Sequence, residues 1–499
     1  NDPDIVSYQN SKLVSFFGRV NYNYQNKFLV TLTGRYDGSS RFAENNKWAF
    51  FPAAAVAYKL SREKFIRDIE SISNLKLRLS YGLSGNQVIQ PYQSLSQLQS
   101  DQVGFADGSG GESLSTIYFN SQLPNANLSW ETTAQFDAGV DFGFLNNRFN
   151  GTFDYYSKTT DDLLFNNQIT IISGFRNFFQ NFGSLESYGY ELSLNGDIIS
   201  TDYISWNLGV NASAGKTKIT SLTFNNANSG YNQGWIAGGT QRLIVGEEVG
   251  AFFGYKTAGI AQFNDFVEFQ NLSRADQIAL YEADPSATYT FVNDFNRGLP
   301  INSTRHQPGE QLYNDNGDGE LNEEDKRVIG TAQPDISFGI NSNFTYGNFE
   351  FGLFIDGQLG QDLVNVANFQ LLAFDAAQQL NTVLNAWTPI NSNNVYPRLN
   401  ALNSGASPFR FSDRYVEDAS FVRLQNVTLG YNFGKVVLDK LNLSQLNVFV
   451  SGTNLHVWTN YSGFNPDVSL TGSNTLALGH DNGGYPIARS IRMGLKLKF

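Results

Sequence analysis

The chain has 499 residues with no cysteine, 34 Lys+Arg against 46 Asp+Glu, a net charge of −12 and a pI near 4.8. That balance excludes disulfide scaffolds and cysteine-held metal centres, and it argues against nucleic acid as a partner because no basic block exists to neutralise phosphates. Charged residues make up only 16% while aromatics reach 14%, yet the longest uncharged apolar run, Trp48 to Tyr58, is broken by Pro52 and falls short of the ~20 residues that a spanning helix needs.

At the start, Asn1-Asp2-Pro3-Asp4 carries neither a basic n-region nor an apolar h-region, so no signal peptide is expected within these residues. From there the dominant signal is alternation of apolar and polar residues, the period of a strand with one face buried. Strands are expected near 15–24, 28–37, 48–58, 75–84, 131–144, 148–158, 185–195, 204–218, 335–346, 349–357, 420–433, 446–455 and 487–499. Leu75, Leu77, Leu79 and Tyr81 alternate with Lys76, Arg78 and Ser80. Phe136, Ala138, Val140, Phe142 and Phe144 alternate with Asp137, Gly139, Asp141 and Gly143, and a turn at Asn146-Asn147 leads into Phe149, Gly151, Phe153 and Tyr155. That pair reads as a hairpin. Phe349/Phe351/Leu353/Ile355, Val427/Leu429/Tyr431/Phe433 and the terminal Ile491/Met493/Leu495/Leu497/Phe499 repeat the code.

A soluble sandwich also alternates, so the connections decide the environment. Short turns (Gln25 to Lys27, Asn146-Asn147, Gly347-Asn348) alternate with long polar segments, 86–130, 219–334, 358–419 and 456–486, the arrangement of an outer-membrane β-barrel with short periplasmic turns and long outer loops. The expected fold is therefore all-β, a transmembrane antiparallel barrel. With Phe499 in the periplasm, thirteen strands put residue 1 outside, whereas a bacterial single-chain barrel has an even strand number and both termini inside. The expectation is a chain that forms part of a larger barrel.

Among motifs, Asn314 to Asp325 reads as a twelve-residue calcium loop. Asn314, Asn316 and Asp318 supply side-chain oxygens at positions 1, 3 and 5, Gly319 the sharp turn, Glu320 a backbone carbonyl, Asn322 a water-mediated contact and Asp325 the closing carboxylate. Asn314 and Asp325 depart from the usual Asp and Glu, and a solvated Asx/Gly turn is the alternative. Bound Ca2+ would be structural, with Kd on the order of 10⁻⁴–10⁻³ M. His306, His456 and His480 lack the spacing of a catalytic metal site and read as loop or lumen residues, Asp161-Asp162 as solvated charge at an outer strand end, and the glycines of 104–111 as a flexible loop. No nucleophile motif occurs, so no enzymatic activity is expected. Trp130, Trp458 and Tyr461 are assigned to the interfacial aromatic girdle. Tyr231 and Trp235, deep in the 219–334 connection where no girdle is expected, are candidate contacts for a substrate or partner.

Phe17-Gly18-Arg19-Val20-Asn21-Tyr22, Arg35-Tyr36-Asp37-Gly38-Ser39-Ser40-Arg41-Phe42, Asn46-Lys47-Trp48, Leu77-Arg78-Leu79-Ser80-Tyr81-Gly82, Asn127-Leu128-Ser129-Trp130-Glu131, the Asn316-Gly317-Asp318-Gly319 loop, Asp418-Ala419-Ser420-Phe421-Val422-Arg423-Leu424 and Thr459-Asn460-Tyr461-Ser462-Gly463 together resemble the second half of SusC/RagA-type TonB-dependent outer-membrane transporters. The resemblance implies a barrel of about twenty-two strands around a plug, of which residues 1–499 are the C-terminal portion without the plug domain or first strands. It implies an importer of oligosaccharides or oligopeptides in the outer membrane of a Gram-negative, Bacteroidota-like cell, embedded in lipid and lipopolysaccharide. A SusD-like surface lipoprotein would act as lid, and TonB–ExbB–ExbD would act through the plug. A passive porin or secretion-associated barrel, and a surface adhesin, are the alternatives.

Overall fold

The computed structural model describes residues 9–499 apart from 107–111, 169–171, 173, 176, 223–234, 237–239, 293–306, 315, 317–320, 372–380, 393–394, 399–409 and 470–477. Its organising element is one 13-stranded antiparallel sheet in which each strand pairs with its neighbours in the barrel sequence. The strands are β1 (Leu13–Tyr24), β2 (Phe28–Ser39), β3 (Trp48–Lys59), β4 (Ile72–Asn86), β5 (Glu131–Phe144), β6 (Phe149–Asp161) and β7 (Ser184–Ser200). They continue as β8 (Ile204–Ser221), β9 (Ile336–Tyr346), β10 (Phe349–Leu359), β11 (Phe421–Asn432), β12 (Gln445–Thr459) and β13 (Ser490–Lys498). All thirteen expected strands are present, most of them longer at their outer ends.

Register carries the alternation across the sheet. One row aligns Val20, Leu32, Ala54 and Tyr81, and another, three residues away along β4, aligns Arg78, Gly139, Asp154, Glu191, Ser213 and Ser337. Because successive side chains point to opposite faces, the first row belongs to an apolar face and the second to a polar one. On the apolar face Phe16, Val20, Leu32, Phe50, Leu77, Leu79, Phe351, Leu429, Met493 and Leu495 are all exposed, the state of side chains made for lipid contact. No helix among the described residues is long and apolar enough to cross a membrane, and the strands are the spanning elements.

The two ends of the sheet differ. At one end the connections are short, and Asn146 (φ 60°), Asn147 (φ 61°) and Gly347 (φ 55°) take the left-handed backbone that tight hairpins demand and that Asn and Gly tolerate. Aromatic pairs ring this end: Phe28 stacks on Tyr58 with centroids 4.4 Å apart, Tyr203 meets Tyr346 edge-on at 5.0 Å, and Phe349 meets Tyr431 at 4.8 Å. A second band lies toward the other end, where Tyr36 stacks on Trp48 at 4.9 Å. Trp458 belongs to this band. Trp130 and Tyr461 do not: Trp130 is 5% exposed in a core with Phe42, Phe51, Ile89 and Leu128, and Tyr461 is buried against Leu363 and Ala419. Both lie just beyond the last paired residues of a strand, where alternation no longer dictates facing. His456 is likewise corrected from loop or lumen to strand β12, edge-on to Trp458 at 4.6 Å.

The long connections are folded. Residues 97–106 and 112–122 form a two-stranded hairpin in which Gly104 pairs with Leu114, so the stretch around Gly104 is strand rather than loose loop, while 107–111 lie outside the described residues. A second hairpin pairs Leu164–Gln168 with Asn177–Asn181. An aromatic core of Phe263, Phe266, Phe269, Tyr281, Tyr289 and Trp387 organises the longest connections.

Candidate functional site: a polar wall beneath a stitched canopy

Strand alternation aims Lys76, Arg78, Asp137, Asp141, Asp154, Tyr156, Glu191 and Asp356 at the polar face. Arg78 holds Asp141 through Nε at 2.7 Å and Asp154 through Nη2 at 2.7 Å, and Lys76 Nζ reaches Asp141 at 2.5 Å. Further round, Arg423 Nη2 pairs with Asp356 at 2.5 Å and lies 3.4 Å from Asp467. Between these ion pairs the wall carries Glu191 among neutral hydrogen-bonding groups such as Ser193, Asn211 and Ser213. A groove of about 400 Å³ runs past Asp154, Glu191, Ser193, Asn211, Ser213 and Asp356.

At the outer end the loops fold over this polar face. Asp37, Ser39, Phe51, Ile219 and Phe421, which point to it, are buried, whereas Tyr36, Phe50 and Trp458 on the opposite face stay exposed. The polar face is therefore the enclosed one. The canopy is stitched by a three-stranded ribbon in which Asp362–Asn365 pairs antiparallel with Val416–Asp418 and parallel with His480–Asp481. Glu417 accepts from Asn365, Asn368 and Ser462 side chains at 2.9–3.0 Å and from the Ser462 amide at 2.9 Å. Tyr461 donates to Asp481 at 2.8 Å, and Thr240 Oγ1 meets His480 Nε2 at 2.5 Å. Burial raises the Tyr461 phenol above its ordinary value, with Asp481 adding to the shift. Burial likewise pushes Tyr415 up to about 12 and lifts the Asp362 carboxyl. It lowers Arg242 despite the Glu323 carboxylate 3.1 Å away.

Of the expected calcium loop, Asn314, Asn316, Asn322 and Asp325 are among the described residues, whereas Asp318 and Glu320 lie outside them. Asp325 is buried and closes the loop, its two oxygens accepting the amides of Asn316 at 2.7 Å and Asn322 at 2.6 Å. Asn322 Oδ1 accepts the Glu324 amide at 2.7 Å, so positions 9 and 12 form a reciprocal cap on a short 3₁₀ turn. An ionised carboxylate has about four lone-pair sites, so the two accepted amides leave Asp325 acceptor capacity for a cation. Among the described residues no cluster of three His, Asp or Glu side chains forms a metal site. Tyr231 lies outside the described residues, and Trp235 opens a two-residue strand, Trp235–Ile236, paired with Gln241–Arg242. Buried His480 and Asp481 and half-buried Glu417 are canopy residues that carry no sequence motif. Their short strands are too brief to show a period.

The family model of the TonB dependent receptor-like β-barrel matches residues 1–266. TonB-dependent receptor P3 of Formosa agariphila is 35% identical over 99% of this chain and 46% of its own length, and TonB-dependent receptor SusC of Bacteroides thetaiotaomicron is 31% identical over 98% and 44%. The chain thus spans about half the length of the curated relatives it matches. Among solved structures the RagAB peptide transporter shares the fold, with a TM-score of 0.77 at 23% identity over 98% of this chain and 48% of that one. An apolar outer face, an enclosed polar wall, asymmetric ends and the family match together make the chain a member of the TonB-dependent receptor-like β-barrel family, in the outer membrane.

Proposed function

We propose that the chain is the C-terminal barrel portion of an energised importer that takes up large nutrients, oligosaccharides or oligopeptides, together with a SusD-like surface lipoprotein. Relatives about twice as long leave room for a plug and for the strands that close the barrel, and through that plug TonB–ExbB–ExbD would deliver force. The single observation that carries this reading is the canopy. Loops from several connections interlock over the enclosed polar wall, which suits capture and handing-on of one bulky substrate better than free diffusion of small solutes. Within this proposal Tyr231 and Trp235 contact the substrate or the lid, and the Asn314–Asp325 loop binds Ca2+ to stiffen the canopy. The reading is of a transporter rather than an enzyme.

The test is mass spectrometry of the complex extracted natively from outer membranes, followed by uptake with and without TonB. A plug-bearing polypeptide, a surface lipoprotein and TonB-dependent uptake are expected. A barrel with no plug and unchanged uptake without TonB would establish the passive pore; binding without uptake would establish the adhesin.

A further inference from the structure

Between β3 and β4 main-chain pairing stops while both strands run on. Their register extends from Lys59 opposite Lys76 only to Ala53 opposite Gly82, yet farther out β3 stays paired with β2 as far as Trp48 and β4 with β5 as far as Asn86. The wall is therefore split at this join. Local sequence accounts for it. Pro52 brings no N–H to a ladder, and Gly85 lets a ring lie where a strand would pair, since a Cβ there would stand 2.1 Å from the Phe51 ring. Phe51 and Phe42 both pack on Trp130, with centroids 5.6 and 5.3 Å away, and with Ile89 and Leu128 this aromatic wedge closes the split. Side chains bonded to carbonyls add to the closure. Arg41 Nη1 donates to Ile89 at 2.8 Å, and Trp130 Nε1 to Lys47 at 3.0 Å.

The split lies within the membrane. Trp48 stacks on Tyr36 in the outer aromatic band, and from Trp48 to Pro52 the strand rises about 13 Å, most of the roughly 15 Å of hydrocarbon in one leaflet. At the inner end of the split a hollow opens on each side of the wall. The one facing lipid, about 430 Å³, is lined by Val20, Leu32, Gly34, Pro52, Ala54 and Tyr81. The one on the polar side, about 310 Å³, is lined by Thr31, Thr33, Ser80, Ser84 and Gln135, with no charged side chain. Ala53, Ala54 and Tyr81 line both, so the hollows lie back to back across the last main-chain pairs of the join. The outer hollow is continuous with the spanning surface, which makes hydrocarbon its occupant. The inner hollow offers hydroxyls and an amide but no counter-charge, so an ionised group placed there would lose its hydration uncompensated. One class of molecule has the same order of parts: an amphiphile with a hydrocarbon chain and an uncharged, hydroxyl-rich head.

We propose that the β3–β4 seam is a lateral binding site for such an amphiphile, its chain in the lipid-facing hollow and its head reaching the polar side through the split as the aromatic wedge gives way. This goes beyond the importer reading and needs only a barrel in lipid. A photo-crosslinking amino acid is placed at Ser84, on the inner hollow, in the full-length protein in its native outer membrane. Ser213 is the control, on a strand paired without a break to both neighbours around it. The probes are dodecyl maltoside, dodecyl phosphate and maltose at equal concentration below solubilisation, with adducts identified by mass spectrometry. Dodecyl maltoside adducts at Ser84 at least fivefold above Ser213 are expected, with dodecyl phosphate and maltose at the Ser213 level. Ser84 adducts confined to the rest of the polypeptide or a second copy, or dodecyl maltoside yields equal to those at Ser213, overturn the site. Equal labelling by dodecyl phosphate overturns the uncharged head, and equal labelling by maltose the chain. Trp130→Ala, which thins the wedge, should raise the Ser84 yield at least threefold, and Trp130→Phe should leave it as in the parent; Phe42→Ala replaces Trp130→Ala if that variant fails to reach the membrane. Equal yields from the thinned and parent wedges would remove the wedge from the closure of the seam.

Discussion

Arg78 and Asp154 meet at 2.7 Å although they lie two strands apart, on β4 and β6. The residue between them in register is Gly139. A Cβ at that position would collide with the Asp154 carboxylate and would stand 2.7 Å from Arg78 Nη2. The glycine of the Asp137-Gly139-Asp141 alternation therefore opens the gap through which the ion pair closes.

Gly139→Val should displace that pair and overpack the wall, costing about 2 kcal/mol. A fall of several degrees in the melting temperature of the detergent-extracted full-length protein is expected. Gly18→Ala, with nothing within 4 Å of the added carbon, should melt as the parent does. Equal behaviour of the two variants would contradict the packing argument.

The two faces of β4 should respond oppositely to charge. Leu79→Arg places a guanidinium on the lipid side, where the cost at mid-bilayer is about 2–4 kcal/mol, and should deplete the protein from outer membranes. Ser80→Arg faces the polar wall and should leave its level close to normal. Quantitative immunoblots of membrane fractions decide this. The reverse ranking would invert the assigned faces.

Alkaline pH should loosen the canopy before the barrel. Tyr415 is pushed up to about 12 by burial, so its folded value exceeds the unfolded value near 10. Below pH ~10 both states are protonated and the full stability is present. Between pH ~10 and ~12 only the unfolded state sheds its proton, and stability falls, by up to about 3 kcal/mol from this one group. Limited proteolysis within 360–420 should accelerate across that window, and Tyr415→Phe should flatten the dependence.

Calcium is tested best at Asp318. Asp325 accepts two loop amides, so its removal loosens the turn with or without metal. Asp318→Ala should instead abolish only the difference in hydrogen exchange of 307–335 between calcium and chelator. A wild-type loop that exchanges identically in both conditions would end the calcium proposal.

How much was legible follows from what each element must satisfy. The barrel strands were readable because lipid on one side and a polar wall on the other impose a period of two over ten or more residues, as in Leu13–Tyr24 and Gln445–Thr459. The canopy was not. Ribbons such as Val416–Asp418 and His480–Asp481 are too short for a period, and their residues are held by partners remote in sequence, as Gln361 is by the Ala419 and Pro466 carbonyls at 3.1 and 3.0 Å. Trp130 and Tyr461 show the same limit, since composition alone suits either a membrane interface or a buried loop core. In the 314–325 loop the sequence reads Asn322 and Asp325 as calcium ligands, and the structure shows them as the two ends of one reciprocal cap, a local contact between residues three apart.

The ribbon of Asp362–Asn365, Val416–Asp418 and His480–Asp481 joins the β10–β11 connection to the β12–β13 connection through main-chain pairing. Segments cross-linked in this way cannot swing as separate flaps. A pull applied to either connection is borne by both, and the three ribbon strands shift as one plate or stay put.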